Sequence, residues 1–322
     1  IWPASGIALA ALLIAGRSFW PGIFLGAFFI NFLTNYSAHP SAPFSSFLSA
    51  AGIASGNTLE AVCGAYLLNR FAGGRNVLQN SVNVLRFTFL AAGLASSFSA
   101  SAGVVSLSLA GFADWNNFWP IWLNWWLGDV LGILTVASFL LVWTRKPEWS
   151  WHAGLALHAV LLVFTTMIVG ECVFGEWLFP AGKIYHVSFV TVPLLIWVAY
   201  SFGQHGATFS ILMLSGFALR GNMHGTGPFV LADPNNSLLL FNLFVATISL
   251  SGLLLAALLR ERKESEQALR KLAEEKLSSI VEYSNDAICS VTTDGVITSW
   301  NQAASKLYGY DESDVMGKYI GI

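Results

Sequence analysis

The sequence predicts an all-α polytopic membrane domain of about eight to nine hydrophobic segments, followed by a charged helical connector and the first part of a small α+β domain. Three observations carry this reading. Of the 322 residues, 55% are hydrophobic and 11% charged, against roughly 25% charged in an ordinary soluble domain. The charges are unevenly placed: residues 1–259 hold 8 of the 16 Lys and Arg and 7 of the 18 Asp and Glu, and the final 63 residues hold the others. The pattern of apolar residues also changes twice, at Arg260 and after Tyr283.

A bilayer core of about 30 Å takes about 20 apolar residues of helix. Long runs of this kind are Ser45 to Leu68, Val84 to Gly111, Trp119 to Trp143, Trp151 to Val173 and Leu238 to Leu259. Shorter runs come in two closely joined pairs, Trp2 to Gly16 with Trp20 to Thr34, and Tyr185 to Ser201 with Gln204 to Arg220. Full crossings and re-entrant hairpins are both open for these pairs, and either returns the chain to the same side. Lys and Arg favour cytoplasmic loops. With the tail after Leu259 inside, the loops holding Arg70 and Arg75, and Arg145 and Lys146, also fall inside, as does Arg17 if its pair crosses fully. The loops 35–44 and 112–118 fall outside and hold no Lys or Arg; Lys183 and Arg220 are the exceptions. Ile1 then starts outside, with no signal peptide visible, so a further upstream helix is expected. Trp2, Trp20, Trp119, Trp143, Trp149 and Trp151 lie near the ends of runs, where an amphipathic ring suits the headgroup layer.

From Arg260 the sequence reads RERKESEQALRKLAEEKLSSI. Leu255, Leu258, Arg262, Ser265, Leu269 and Leu272 alternate at spacings of three and four, a partial coiled-coil seam. The last span is therefore expected to continue into a dimerising connector, with a homodimer as the assembly. Two short strands follow, Ala287 to Thr292 and Val296 to Trp300, with Asp294-Gly295 predicting a tight turn with both central residues at positive φ. Asn301 to Tyr308 and the residues after Asp311 read as short helices. The domain boundaries so read are 1–259, 260–281 and 282–322.

Several classes are excluded or disfavoured. A net charge of -2 without a basic cluster argues against nucleic acid as a partner. Cys63, Cys172 and Cys289 are far apart and form no metal-ligand spacing. The loop GNMHGTGP at 221–228 lacks the Lys of a phosphate loop, and no catalytic signature is present. His158 and His205 read as packing residues, Arg86 as a cation reaching the interface, and Glu171 as solvated at a span end.

Two carboxylates lie deep in apolar runs, Glu60 and Asp129. A charge there costs about 2.5–3.5 kcal/mol on insertion scales, so each requires a partner or a purpose. Glu60 shares a four-residue stripe with Gly52, Gly56 and Gly64, a face suited to close helix approach, and follows Asn57; Asp129 follows Trp125 and Trp126. A ligand pocket formed by Asn57, Glu60, Trp125, Trp126 and Asp129 is one reading. Carboxyl groups that only fix helix register, hydrogen-bonded to Asn57, Asn124 or backbone, is the other.

The tail SNDAICSVTTDGVITSWNQAASKLYGYDESDVMGKYIG resembles the N-terminal half of a PAS domain. WPASGIALAALLIAG, WPGIFLGAFFIN, NTLEAVCGAYLL, WWLGDVLGIL and LLIWVAYSFGQHGA resemble the membrane-associated sensor domain of the first MASE type, found before PAS domains in bacterial sensor histidine kinases and cyclic-di-GMP signalling proteins. The resemblance implies a bacterial inner-membrane sensor that relays a stimulus to a cytoplasmic output domain, either kinase or cyclic-di-GMP enzyme, absent from this chain. It implies no cofactor in the membrane domain. In the PAS part Trp300 and Asn301 would border a cavity; haem or flavin is the alternative to a cofactor-free relay, which is the expectation. A transporter or channel with a regulatory tail is the competing function, favoured by Glu60 and Asp129. A retinal protein needs a Lys within a span, and none of the runs holds one.

Overall fold

The computed structural model describes residues 1–145, 153–175 and 188–321. The chain forms two compact units, Ile1–Glu261 and Arg262–Ile322.

The first unit is helical. Its helices are α1 (Pro3–Ala15), α2 (Trp20–Ala38), α3 (Pro43–Phe71), α4 (Ser81–Arg86), α5 (Ser96–Leu109), α6 (Phe118–Gly132), α7 (Ser138–Trp143), α8 (Ala153–Phe174), α9 (Thr191–Met223) and α10 (Pro234–Glu282). Pro3, Pro21 and Pro43 each sit in the first turn of a helix, where the missing N–H costs nothing and φ is already set. Asn80 starts α4 by accepting from the N–H groups of Val82 and Asn83 through its side chain. The predicted runs Val84 to Gly111 and Trp119 to Trp143 are not uniform α-helices. Each contains a π-helical insertion, Phe87–Ala95 between α4 and α5 and Ile133–Ala137 between α6 and α7.

Among the described residues, four helical stretches are long and apolar enough to cross a membrane: Ser81–Leu109, Trp115–Trp143, Leu157–Phe174 and Pro234–Glu282. Pro3–Ala15 is a shorter apolar helix. The unit is thus a membrane protein fold, buried at Leu9, Leu68, Phe87, Leu131 and Leu134 and apolar outside as well, at Phe29, Leu33, Phe89, Leu109 and Phe164. Trp2, Trp20, Trp119 and Trp143 are all exposed; Lys146, Trp149, Trp151 and Lys183 lie outside the described residues.

The two short pairs differ. The first turns at Gly16 (φ 98°) and a single turn of 3-10 helix, Arg17–Phe19. In the second, Gly203 (φ 58°, ψ -142°) alone breaks a helical stretch that otherwise runs through α9, a backbone conformation open to Gly and few others. Residues 185–187 of that predicted run lie outside the described residues.

In the second unit, β1 (Cys289–Val291) and β2 (Ile297–Trp300) pair antiparallel, followed by α11 (Gln302–Tyr308) and α12 (Glu312–Val315). Ile297, Trp300, Ala304 and Val315 form its small core. The expected turn is corrected here. Gly295 has φ 76°, but no residue other than Gly has positive φ among those described, so Asp294 does not take the left-handed position that a two-residue turn requires. Instead Gly295 N–H donates to Thr292 O (3.0 Å) and Thr292 N–H to Val296 O (2.9 Å), the longer loop in which only the glycine needs positive φ. Asn301 caps α11 by accepting from Ala304 N–H. The second half of α10 is a solvated helix with ion pairs at Arg262–Glu266 and Arg270–Glu274, and its Leu269 and Leu272 are exposed.

Candidate functional site

The site is built by close helix approach. A Cβ on Gly6 of α1 would stand 2.2 Å from Gly132 O, and one on Gly132 of α6 would stand 2.0 Å from Trp2 O. Only two glycines at the crossing allow these backbones to meet, and Trp2 N–H donates to Gly128 O at 2.9 Å across it. Ser5, beside Gly6, is thereby set against Asp129, one turn before the π-helical Ile133–Ala137. On α3 the stripe does what its spacing predicts: Gly52 faces Ser106, Gly56 faces Ala102, and Gly64 faces Leu9 and Ala95. This brings Glu60 between α1 and α5.

Glu60 and Asp129 are 3% and 0% exposed, and one hydroxyl lies between them. Ser5 Oγ donates to Asp129 Oδ1 at 2.6 Å and stands 3.4 Å from Glu60 Oε2. Ser96 Oγ, at the end of the π-helical Phe87–Ala95, donates to Glu60 Oε1 at 2.7 Å. Ser99 Oγ donates to Asn57 Oδ1 at 2.8 Å. Asp129 Oδ2 is buried with no hydrogen-bond partner among the described residues. A buried acceptor left open costs about 1–3 kcal/mol, so Asp129 Oδ2 is the atom at which a ligand O–H or N–H, a water or a proton would complete the cluster. Four helices, α1, α3, α5 and α6, thus converge on one polar cluster inside an apolar unit.

The predicted residues separate on inspection. Glu60 and Asp129 meet, and Asn57 joins them through Ser99. Trp125 packs over Gly103, where an added Cβ would lie 2.7 Å from the ring, and its side chain also reaches Asp129. Trp126 points elsewhere, its Nε1 donating to Gly93 O at 2.8 Å within the π-helical segment. Asn124 is exposed, so the expected Asn124 partnership gives way to serines. Ser5, Ser96 and Ser99 were not singled out by sequence. The available signal was the serine-rich stretch SSFSAS at 96–101 inside an apolar run, but the face it presents depends on the π-helical insertion before it. No group of three or more metal-ligating side chains is present among the described residues.

Two further groupings lie at span ends. Arg220 Nη1 donates to Glu171 Oε2 at 2.8 Å, so Glu171 is paired as well as solvated, and Arg220 is balanced where the loop-charge count left it an exception. At the other ends, Glu261 of α10 accepts from Ser81 N–H (2.9 Å) and Ser81 Oγ (3.0 Å) at the start of α4. Gln204 donates to Leu78 O, and Arg145 to Arg75 O. Burial, then the neighbouring Arg75 and Arg260 guanidiniums, lower the Arg145 pKa from its ordinary value.

In the second unit Asn301 is 1% exposed and fully engaged. Its Oδ1 accepts from Ile288 and Ala304 N–H, and its Nδ2 donates to Val281 O and Asp286 O, all at 2.8–2.9 Å. That uses both lone pairs and both hydrogens. Trp300 is buried in the small core and donates to Tyr310 O at 3.2 Å.

Residues 275–322 match the PAS fold. The chain is 24% identical over 326 residues to a protein of Escherichia coli (strain K12) named probable diguanylate cyclase DgcE, an alignment covering 98% of this chain and 27% of that protein. The chain therefore spans about a quarter of the length of this curated relative. No solved structure matches it. The helical membrane unit, with its glycine-built crossing and paired carboxyl groups, matches the MASE1 family over residues 1–263, and the chain belongs to that family.

Proposed function

We propose that this chain is the sensory front end of a multi-pass protein of the bacterial inner membrane, with about eight to nine membrane segments and the PAS end in the cytoplasm. The observation that carries the reading is the Ser5 hydroxyl between Glu60 and Asp129. It joins helices far apart in sequence through one incompletely satisfied polar cluster, so a ligand or proton that completes it favours one helix arrangement over another. Differential binding of that kind is what shifts a conformational equilibrium. The glutamate, aspartate and Asn57 form the sensing site, with Trp125 and Trp126 as packing that holds it. The shift passes along α10 to the PAS unit, which acts as a cofactor-free, dimerising relay; the full use of Asn301's hydrogen-bonding groups supports this. The output lies beyond this chain. The name of the E. coli relative favours cyclic-di-GMP synthesis, with phosphotransfer the other compatible output.

The test uses the full-length protein. Inserting two residues after Arg270 turns the following helix by about 200° and is expected to uncouple cyclic-di-GMP output from the membrane unit while leaving membrane levels unchanged. Asp129→Asn is expected to fix output in one state. Regulated output surviving both changes overturns the proposal. The buried carboxyl groups also suit a transporter, and solute flux into vesicles that Asp129→Asn abolishes would establish that reading instead.

A further inference from the structure

Between α1 and α2 lies a cavity of about 380 Å³, within the range of roughly 300–1,000 Å³ common to small-molecule sites. Its walls are apolar, including Ile7 and Phe19, both exposed on a membrane-facing surface, and its only polar contributors are Ser5 and Asn57. The wall on α2 is formed in part by Gly22 and Gly26. Glycines at that spacing in a membrane helix ordinarily receive a neighbouring helix, as Gly52, Gly56 and Gly64 do on α3. Here a Cβ on Gly22 or Gly26 meets nothing within 4 Å, and α2 has no buried residue. The space is bare where the glycine face of α3 is filled.

Its polar wall is not inert. Asn57 uses Oδ1 to accept from Ser99, and its amide nitrogen makes no hydrogen bond among the described residues. A half-buried donor therefore faces an apolar space. Ser5, the other polar group, is the residue between the two carboxyl groups.

We infer that this cavity binds an apolar molecule bearing one hydroxyl group, which enters from the bilayer, accepts from Asn57 Nδ2, and contacts Ser5. An alcohol oxygen fits because it accepts from the amide and still donates onward to Ser5 Oγ, whose own hydrogen is committed to Asp129. The inference deepens the proposed sensing site, but binding is measured separately from signalling, so either can fail alone.

The probe is a diazirine-bearing twelve-carbon alcohol, photoactivated with the full-length protein in lipid nanodiscs and mapped by mass spectrometry. Labelling is expected on α1 and α2 around Gly22 and Gly26. Dodecan-1-ol is expected to compete at least about five- to tenfold better than dodecane, one hydrogen bond alone being worth about that much, and Asn57→Leu to reduce that advantage by the share of the bond it removes. A Cβ on Gly26 meets nothing within 4 Å, so Gly26→Leu is expected to fill the cavity and abolish labelling with the unfolding midpoint held or raised. Equal competition by alkane and alcohol, labelling that persists in Gly26→Leu, or self-crosslinking through α2 in place of labelling would each overturn the inference. Labelling that behaves as stated while cyclic-di-GMP output ignores the alcohol leaves the binding site standing and removes the sensing role.

Discussion

Gly128 and Gly132 lie one turn apart on α6 and face the same end of α1, yet the structure assigns them opposite tolerances. A Cβ on Gly128 would meet Trp2 Cβ at 3.8 Å, an ordinary contact, whereas one on Gly132 would stand 2.0 Å from Trp2 O. That oxygen belongs to backbone and cannot rotate away. Relief to an ordinary contact requires α1 to retreat by about 1.4 Å, which could lengthen Ser5 Oγ to Asp129 Oδ1 from 2.6 Å to about 4.0 Å, beyond hydrogen-bonding range. Either the strain is retained or the bond is lost, and each costs about 1–3 kcal/mol. Both Gly→Ala changes gain about 1 kcal/mol of helix propensity, so the difference between the two variants isolates the crossing. Equilibrium unfolding in detergent, followed by tryptophan fluorescence, is expected to place Gly132→Ala about 1–3 kcal/mol below Gly128→Ala, with output altered in the former only. Equal stability of the two variants would refute the crossing geometry and the placement of Ser5 that depends on it.

Gly203→Ala is expected to cost about 1–3 kcal/mol through backbone strain alone, since no atom lies within 4 Å of the added carbon; a neutral effect in the same unfolding assay would show that the break in α9 is not held. Removing the carboxylate in Glu261→Ala is expected to shift basal output, and Ser81→Ala to shift it less in the same direction because the Ser81 N–H still reaches Glu261, with the double variant no worse than Glu261→Ala. Additive effects in that cycle would mean that the two residues do not act through each other.

The membrane character of the first unit was legible because it rests on composition and run length, which do not depend on how helices pack. Glu60 and Asp129 stood out for the same reason: a carboxyl group in an apolar run is conspicuous in one dimension. Their partners did not stand out. Ser5, Ser96 and Ser99 are ordinary residues in membrane helices, and which serine meets which carboxyl group depends on helix rotation. The π-helical Phe87–Ala95 changes that rotation just before Ser96 without any Pro or polar residue to announce it. Trp126 lies apart from the carboxyl pair because its indole donates to Gly93 O, a backbone carbonyl in the same π-helical segment. The loop at Asp294-Gly295 shows a different limit. The dipeptide correctly marks a turn, but the number of residues in the loop is set by the bulge between Ser290 and Val291, which pairing and not local preference decides.

A chain of contacts between the carboxyl pair and the signalling helix is not in itself evidence of coupling, because any packed protein contains such chains. What coupling needs is an element with two arrangements, both biased by the site. The π-helical insertions meet that requirement better than the straight helices do. A π turn is strained relative to α-helix and recurs at functional positions, and converting it to α-helix rotates everything on one side by the angle of one residue. Phe87–Ala95 lies between Ser81, which holds Glu261 of α10, and Ser96, which holds Glu60. Ile133–Ala137 begins four residues after Asp129. Asp129 and Ser96, the partner of Glu60, therefore sit beside the π-helical segments, and α4, which precedes one of them, contacts the helix that leaves the membrane unit. Both contacts are made in the present register, so together they hold it, and a rotation about the π-helical segment would break Ser96–Glu60 or Ser81–Glu261. That shared dependence on one register, more than proximity, is why the buried carboxyl pair suits signalling better than transport.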